Sequence, residues 1–366
     1  MVIKMIKIIK KNIVSDIDFW DYIKEVPSPC YVYNTDILEN ICDFIVENIN
    51  YFTNIYFYYA MKSNNNMNIL KTVKRYVNGI DVATIEEYSL AKKAGFTSIS
   101  CNGPSFTIDD IRNIYNEGHI IDFDNYNQLF QVEDIVKNKK IGLRLKVGKS
   151  RFGLDLENEE LQNFILRNNI SVTRIHFHYG EKSVDNFMTL KNIAEEIKSI
   201  DYLNYVSTIN IGGGFDKILL KNHFREFLDK VSKIFNGYKV IIEPGKGVVD
   251  YCGFLITKVI SSNYINNIND VTVNTSAHNV LTWFMPRPIF TNSETNIKIK
   301  TNIYGNSCYE EDKFAINLEY PFVDTGNLIV FFPVGAYGSV NNKNLHNQSN
   351  LNEYIYSSRG KMFYEK

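Results

Sequence analysis

A chain of 366 residues, 45% hydrophobic and with a net charge of -1, can bury a large core, as one barrel with an appendage or as two domains. The balanced charge gives no basic footprint for nucleic acid, and no uncharged apolar run is long enough to span a membrane. Cys30, Cys42, Cys101, Cys252 and Cys308 form no C-x-x-C pair and no metal-ligand spacing, which argues against a metal site or a disulfide framework and for reduced thiols in the cytoplasm.

Residues 1–11 mix Ile with Lys and read as an edge strand, with a membrane-surface segment as the alternative. The lysines interrupt any apolar stretch, so this is a poor signal peptide. A helix is expected over 14–25, ended by Pro27, then a strand over 29–34 and an amphipathic helix over 36–49. From there strands at 55–59, 79–82, 97–101, 120–123, 141–147, 172–178, 206–211 and 239–243 alternate with helices at 68–77, 85–94, 108–117, 126–136, 159–168, 186–200 and 219–235. Eight short strands coupled by helices imply right-handed crossovers and a (β/α)8 barrel, which fits the count better than a doubly wound sheet.

After Pro244 the pattern changes. Strands at 254–259, 270–274, 296–301, 328–332 and 354–357 follow one another without helices. The strand near Cys30 has no helix-coupled place in the barrel. The expected organisation is an α/β chain with a barrel over 35–250 and a β-rich sandwich or barrel built from 1–34 and 251–366.

Chemistry in a barrel sits at the C-terminal ends of its strands. Those ends carry Lys62, Asp81, Arg144, His176, His178, Gly212-Gly213-Gly214 and Glu243-Pro244-Gly245. Each has an ordinary reading: Lys62 a surface lysine, Asp81 a helix cap, Arg144 an interior ion pair, His178 a satisfied strand-end residue, the glycines and Glu-Pro-Gly simple turns. Together they describe one site. Consecutive glycines bare their N–H groups to a phosphate, and because Phe215 follows them they are not a dinucleotide G-x-G-x-x-G. A lysine ending a buried strand has its pKa lowered by desolvation and becomes a nucleophile. Lysine, phosphate nest and carboxylate suit pyridoxal phosphate, whose ring accepts electrons when its nitrogen is kept protonated.

On these motifs the chain resembles the fold-type III pyridoxal-phosphate decarboxylases, which include diaminopimelate, ornithine and arginine decarboxylases. The resemblance rests on Tyr59-Ala60-Met61-Lys62-Ser63-Asn64, Asp81-Val82-Ala83-Thr84 with Glu87, Arg151-Phe152-Gly153 and His176-Phe177-His178-Tyr179-Gly180. It continues through Gly212-Gly213-Gly214-Phe215, Glu243-Pro244-Gly245-Lys246, Cys308 with Asp312, and Gly335-Ala336-Tyr337-Gly338. It implies that Lys62 forms the Schiff base, His178 stacks on the pyridine ring and Glu243 pairs with its nitrogen. Gly212, Gly213, Gly214 and Tyr337 would hold the phosphate. Cys308 would return a proton in the partner subunit's site, so that a homodimer shares its active sites.

The chain departs from that pattern at three places. Lys246 stands where the family usually has Arg, keeping the charge but losing bidentate geometry. Glu181 stands where a Ser is usual, so either Ser183 fills in or cofactor affinity is weaker. Tyr309 follows Cys308 where relatives acting on free diamino acids have Asp or Glu, with Glu310, Glu311 and Asp312 beyond it. Losing that carboxylate would leave a buried ammonium unpaired. Arg287 matches an arginine that grips a distal carboxylate in diaminopimelate decarboxylases. Both changes suit an amino-acid-type substrate with a neutral amide and a distal carboxylate, such as a citryl-diamino acid of siderophore synthesis. The alternative is an ordinary meso-diaminopimelate decarboxylase in which Glu310 or Glu311 takes the ammonium. Glu243 argues against a racemase, which usually sets an arginine on the ring nitrogen, and the presence of Lys62 and Cys308 argues against a non-catalytic binding or regulatory homologue.

Overall fold

The computed structural model describes residues 16–360 apart from 186, 222 and 282. The segment 1–11 read as an edge strand lies outside the described residues. The chain divides into two compact units, one containing Ile41–Gly247 and the other containing residues 16–40 and 248–360.

The first unit is a closed parallel barrel of eight strands, β2 (Ile55–Ala60), β3 (Gly79–Val82), β4 (Ile99–Asn102), β5 (Ile121–Phe123), β6 (Lys140–Arg144), β7 (Ser171–His176), β8 (Thr208–Asn210) and β9 (Lys239–Ile242). β2 pairs with β9 through Ile55↔Val240 and closes the ring. The strands are short, buried and rich in Ile, as strands covered on both faces are. Asparagine starts many of the intervening helices. Asn66, Asn125 and Asn158 each accept a backbone N–H of the first helical turn. Asn138 and Asn169 take positive φ in tight turns, a conformation asparagine tolerates better than most residues.

Two expected helices are broken. The stretch 126–136 forms Tyr126–Phe130 and Glu133–Val136, with Val132 out of helical geometry between them. The stretch after β8 forms Asp216–Leu220 and Phe224–Ile234. In the second of these Phe224, Phe227, Leu228 and Val231 are buried on one face. Strands β6, β7 and β9 also end earlier than their apolar runs, at Arg144, His176 and Ile242, so His178 and Glu243 sit in the loops just beyond them.

The second unit is a mixed sheet centred on β10 (Gly253–Ile265). The strand β1 (Cys30–Asn34) joins it, antiparallel to β10 and parallel to β16 (Asn352–Tyr356). β11 (Ile268–Val273) and β13 (Lys298–Tyr304) continue one side, and β15 (Leu328–Phe332) the other. Two strands were not expected from the sequence, β12 (Arg287–Thr291) and β14 (Lys313–Pro321). Both lie at sheet edges, and β12 holds Pro288 beside an irregularity in its pairing. No helix among the described residues is long and apolar enough to cross a membrane.

Candidate active site

The barrel brings Lys62, Asp81, Arg144, His178, the glycines and Glu243 to one end. Lys62 lies in a turn, Met61–Ser63, directly after β2. The Ser63 hydroxyl donates to the Ala60 carbonyl at 2.8 Å and to the Tyr59 hydroxyl at 3.0 Å, which fixes the turn. Lys62 itself is exposed, between buried Met61 and Ser63. The expectation of a buried lysine is corrected: the strand stops at Ala60, and Lys62 belongs to the turn above it. Its positive charge still acts on Asp81, Glu87, His178 and Glu243, which gathers these groups around it.

Asp81 is buried and accepts from Asn102 Nδ2 at 2.5 Å. It does not cap the next helix, because Thr84 does. Asn102 Oδ1 in turn accepts from Arg144 Nη1 at 3.5 Å. The guanidiniums of Arg144 and Arg151 lie 4.8 and 4.2 Å from the centre of the Phe152 ring. Burial raises the Asp81 carboxyl, and the charges of Lys62 and Arg144 oppose that rise. The interior ion pair belongs to Arg174, whose Nε donates to Asp122 at 2.6 Å.

Above that pair His176 stands between two carboxyls, Nδ1 3.7 Å from Asp122 and Nε2 3.8 Å from Glu243. Burial and then the surrounding cations hold its pKa far down, so it is neutral. Glu243 is buried, with Oε1 accepting from Asn210 Nδ2 at 2.5 Å. Asn210 Oδ1 accepts the Gly212 amide at 2.9 Å, which ties the carboxyl to the glycine turn. Burial, then the neighbouring Asp81, pushes the Glu243 pKa well up.

The turn itself needs glycine. Gly212 and Gly214 have φ of 68° and 88°. A Cβ on Gly212 would lie 2.8 Å from His178 Nδ1, and one on Gly214 would run into the Gly180 carbonyl. Gly245 is less confined, a Cβ there lying 3.0 Å from Ser63 Oγ. His178, past the end of β7, has its pKa lowered to about 3 by burial and by the charges of Lys182, Lys62 and Arg144. It therefore presents a neutral ring against the turn.

These residues fit pyridoxal phosphate. A glycine turn with no room for side chains offers backbone N–H groups to a phosphate. Glu243 is a buried carboxyl raised above its ordinary range, which a cationic ring N–H would stabilise in its charged form. Lys62 would supply the amine, and the ring of His178 lies against the glycine turn.

Other expectations for this edge are met differently. Glu181 is turned outward onto Lys217. Ser183 Oγ accepts the Asp185 amide at 3.0 Å and is used locally. Lys246 Nζ lies 4.0 Å from Asp216. Asn102, Asn210 and Lys182 were missed in the sequence. The signal for Asn210 was there, an amide closing an apolar strand immediately before the glycines.

In the second unit Cys308, Tyr309 and Glu310 are exposed on one loop. The Cys308 amide donates to His346 Nε2 at 3.1 Å, and Tyr309 packs on His278 with ring centres 4.9 Å apart. Asp312 is buried and accepts the amides of His278 and Ser307 at 3.1 and 3.0 Å, so both its oxygens hold the loop. Glu311 pairs with Lys313 at 2.6 Å. Arg287 is exposed on β12. Tyr337 has φ of 58°, a strained value for a bulky residue, in a turn whose Gly335 amide donates to the Asp250 carbonyl at 2.9 Å.

Residues 45–250 match the family model described as pyridoxal-dependent decarboxylase, pyridoxal binding domain. A diaminopimelate decarboxylase of Archaeoglobus fulgidus is 24% identical over 369 residues, covering 87% of this chain and 85% of that one. A Staphylococcus aureus enzyme, 2-[(L-alanin-3-ylcarbamoyl)methyl]-2-hydroxybutanedioate decarboxylase, is 23% identical over 358 residues, covering 84% and 88%. The fold is shared with the arginine decarboxylase of Paramecium bursaria Chlorella virus, at a TM-score of 0.81 and 21% identity over 93% of this chain and 99% of that one. Diaminopimelate decarboxylase from Helicobacter pylori superposes with a TM-score of 0.79 at 21% identity, covering 92% and 94%. The chain belongs to the pyridoxal-dependent decarboxylase family, and it is a pyridoxal-phosphate-dependent amino-acid decarboxylase.

Proposed function

We propose that the substrate is a diamino acid whose distal amine is acylated and which carries a further carboxylate, such as a citryl-diamino acid of carboxylate siderophore synthesis. The observation that carries this reading is the state of the carboxylates after Cys308. Asp312 is committed to two backbone amides and Glu311 to Lys313, while Tyr309 occupies the position beside the thiol. A free distal ammonium would lack a committed partner, at a cost of several kcal/mol if buried. Arg287, exposed and cationic, suits a carboxylate. The Staphylococcus aureus relative supports the same chemistry, because its named substrate is an amide bearing several carboxylates.

In this reading Lys62 would hold the cofactor through its side-chain amine and would be released when the substrate amine takes its place on the cofactor. Glu243 would pair with the ring nitrogen, His178 would cover one ring face, and Gly212, Gly213, Gly214, Gly245 and Lys246 would hold the phosphate. Asp81 and Arg144 set the charge around Lys62. The bound cofactor supplies a protonated ring that takes up the electron pair left when carbon dioxide departs. Cys308 of a partner subunit in a cytoplasmic homodimer returns a proton to the α-carbon.

Exposed Glu310 and the diaminopimelate decarboxylases among the relatives favour a second reading, meso-diaminopimelate as substrate. Steady-state assays of carbon dioxide release separate the two. We expect kcat/KM for a citryl-diamino acid to exceed that for meso-diaminopimelate by at least about a hundredfold, the effect of one poorly paired charge. Faster turnover of free meso-diaminopimelate would sink the proposal.

A further inference from the structure

Lys182 is among the largest fully buried side chains of the protein, with 1% of its surface exposed. Its backbone N–H donates to the Gly214 carbonyl at 2.6 Å, so the segment after His178 lies across the glycine turn. Nζ donates to the Gly180 carbonyl at 3.3 Å and sits 3.8 Å from the centre of the Tyr179 ring, with the Phe215 ring at 5.8 Å. Among the described residues no carboxylate lies within ion-pairing distance of it, whereas the other two lysines at this edge are committed. Lys217 is paired with Glu181, and Lys246 lies 4.0 Å from Asp216. A buried ammonium facing only a carbonyl and an aromatic face is poorly compensated. Burial accordingly lowers its pKa to about 7, against the pull of Glu243. Its charge is also felt by His178, on the far side of the same turn.

We propose that Lys182 is the cation set against the cofactor's phosphate, in place of the hydroxyl and guanidinium that the chain lacks at Glu181 and Lys246. A phosphate held at the turn by the N–H groups of Gly213 and Gly214, the Gly212 N–H being taken by Asn210, would give the ammonium the anion it is missing. Glu181, one residue away, does not oppose this, because its carboxylate is held outside by Lys217. The sequence therefore reverses two neighbours: the acidic residue that stands where a hydroxyl is usual faces solvent, and the following lysine is buried.

The inference rests on the placement of the cofactor at the glycine turn. It is tested by fluorescence titration of the cofactor-free enzyme with pyridoxal phosphate and, separately, with pyridoxal, which has the same ring and aldehyde but no phosphate. In Lys182→Met the affinity for pyridoxal phosphate should fall about a hundredfold, as on removing a buried charge partner, while that for pyridoxal changes less than about twofold. Lys182→Arg should keep the wild-type ratio. Lys182→Gln, which retains a donor for the Gly180 carbonyl, should behave like Lys182→Met and decides the matter if that variant does not fold. An unchanged ratio in Lys182→Met or Lys182→Gln overturns the assignment of Lys182 alone. A wild-type enzyme that binds both compounds equally would overturn the phosphate site itself, and this proposal with it.

Discussion

Replacing Lys62 with alanine is expected to lower decarboxylation by at least about a thousandfold, because in the proposed scheme Lys62 is the residue that holds the cofactor covalently. The fold should survive. Lys62 is an exposed residue of a turn held by Ser63, Tyr59 and the Ala60 carbonyl, none of which depends on its amine. Exposed side chains away from the core change stability little. Compared cofactor-free, the variant should unfold within a few degrees of wild type, and it should fail to develop the visible absorbance of covalently bound cofactor. Turnover within tenfold of wild type would remove Lys62 from the chemistry.

Changing Glu243 to glutamine should lower kcat by about 10²- to 10³-fold, the usual effect of removing one preorganised electrostatic partner. The stability change should go the other way. Folded Glu243 carries a raised pKa from burial and from the neighbouring Asp81, so ionising it inside the barrel is unfavourable. The sign follows from that direction: the carboxyl's burden on stability is absent at low pH and grows as pH rises from its unfolded value toward its folded one. Glutamine removes this burden and still accepts from Asn210 Nδ2, which now bonds Oε1 at 2.5 Å. Melting temperature of the cofactor-free protein at pH 8 should be unchanged or higher, while kcat of the loaded enzyme falls. A loss of both together would mean that Glu243 is a structural residue.

The barrel was legible because its signal is local. Each strand is a short Ile-rich run, each helix an amphipathic one, and eight such pairs leave few topologies. The sheet edges were less so. β12 and β14 carry few buried residues and β12 contains a proline, so neither shows the alternation that marks a half-buried strand. At the site, residue types with a specific chemistry (Lys62, Glu243, the glycines) could be picked out at strand ends. Their surroundings could not. The sequence suggests that Lys62 is buried, and it is exposed because β2 ends two residues before it. The sequence likewise suggests that Glu181 and Ser183 matter at the phosphate edge, but Glu181 turns outward onto Lys217 and the side chain buried beside the glycine turn is that of Lys182. Asp312 is a candidate for the substrate in the sequence, and the two backbone amides that its oxygens accept are brought to it only by the folded loop. Inward and outward choices in loops are set by tertiary contacts, which have no period to read.

Borohydride reduction of the holoenzyme followed by peptide mass mapping tests the central assignment most directly. The account predicts a phosphopyridoxyl group on the peptide containing Lys62 and on no other. The same group on the peptide containing Lys182, or no labelled peptide at all, would contradict it.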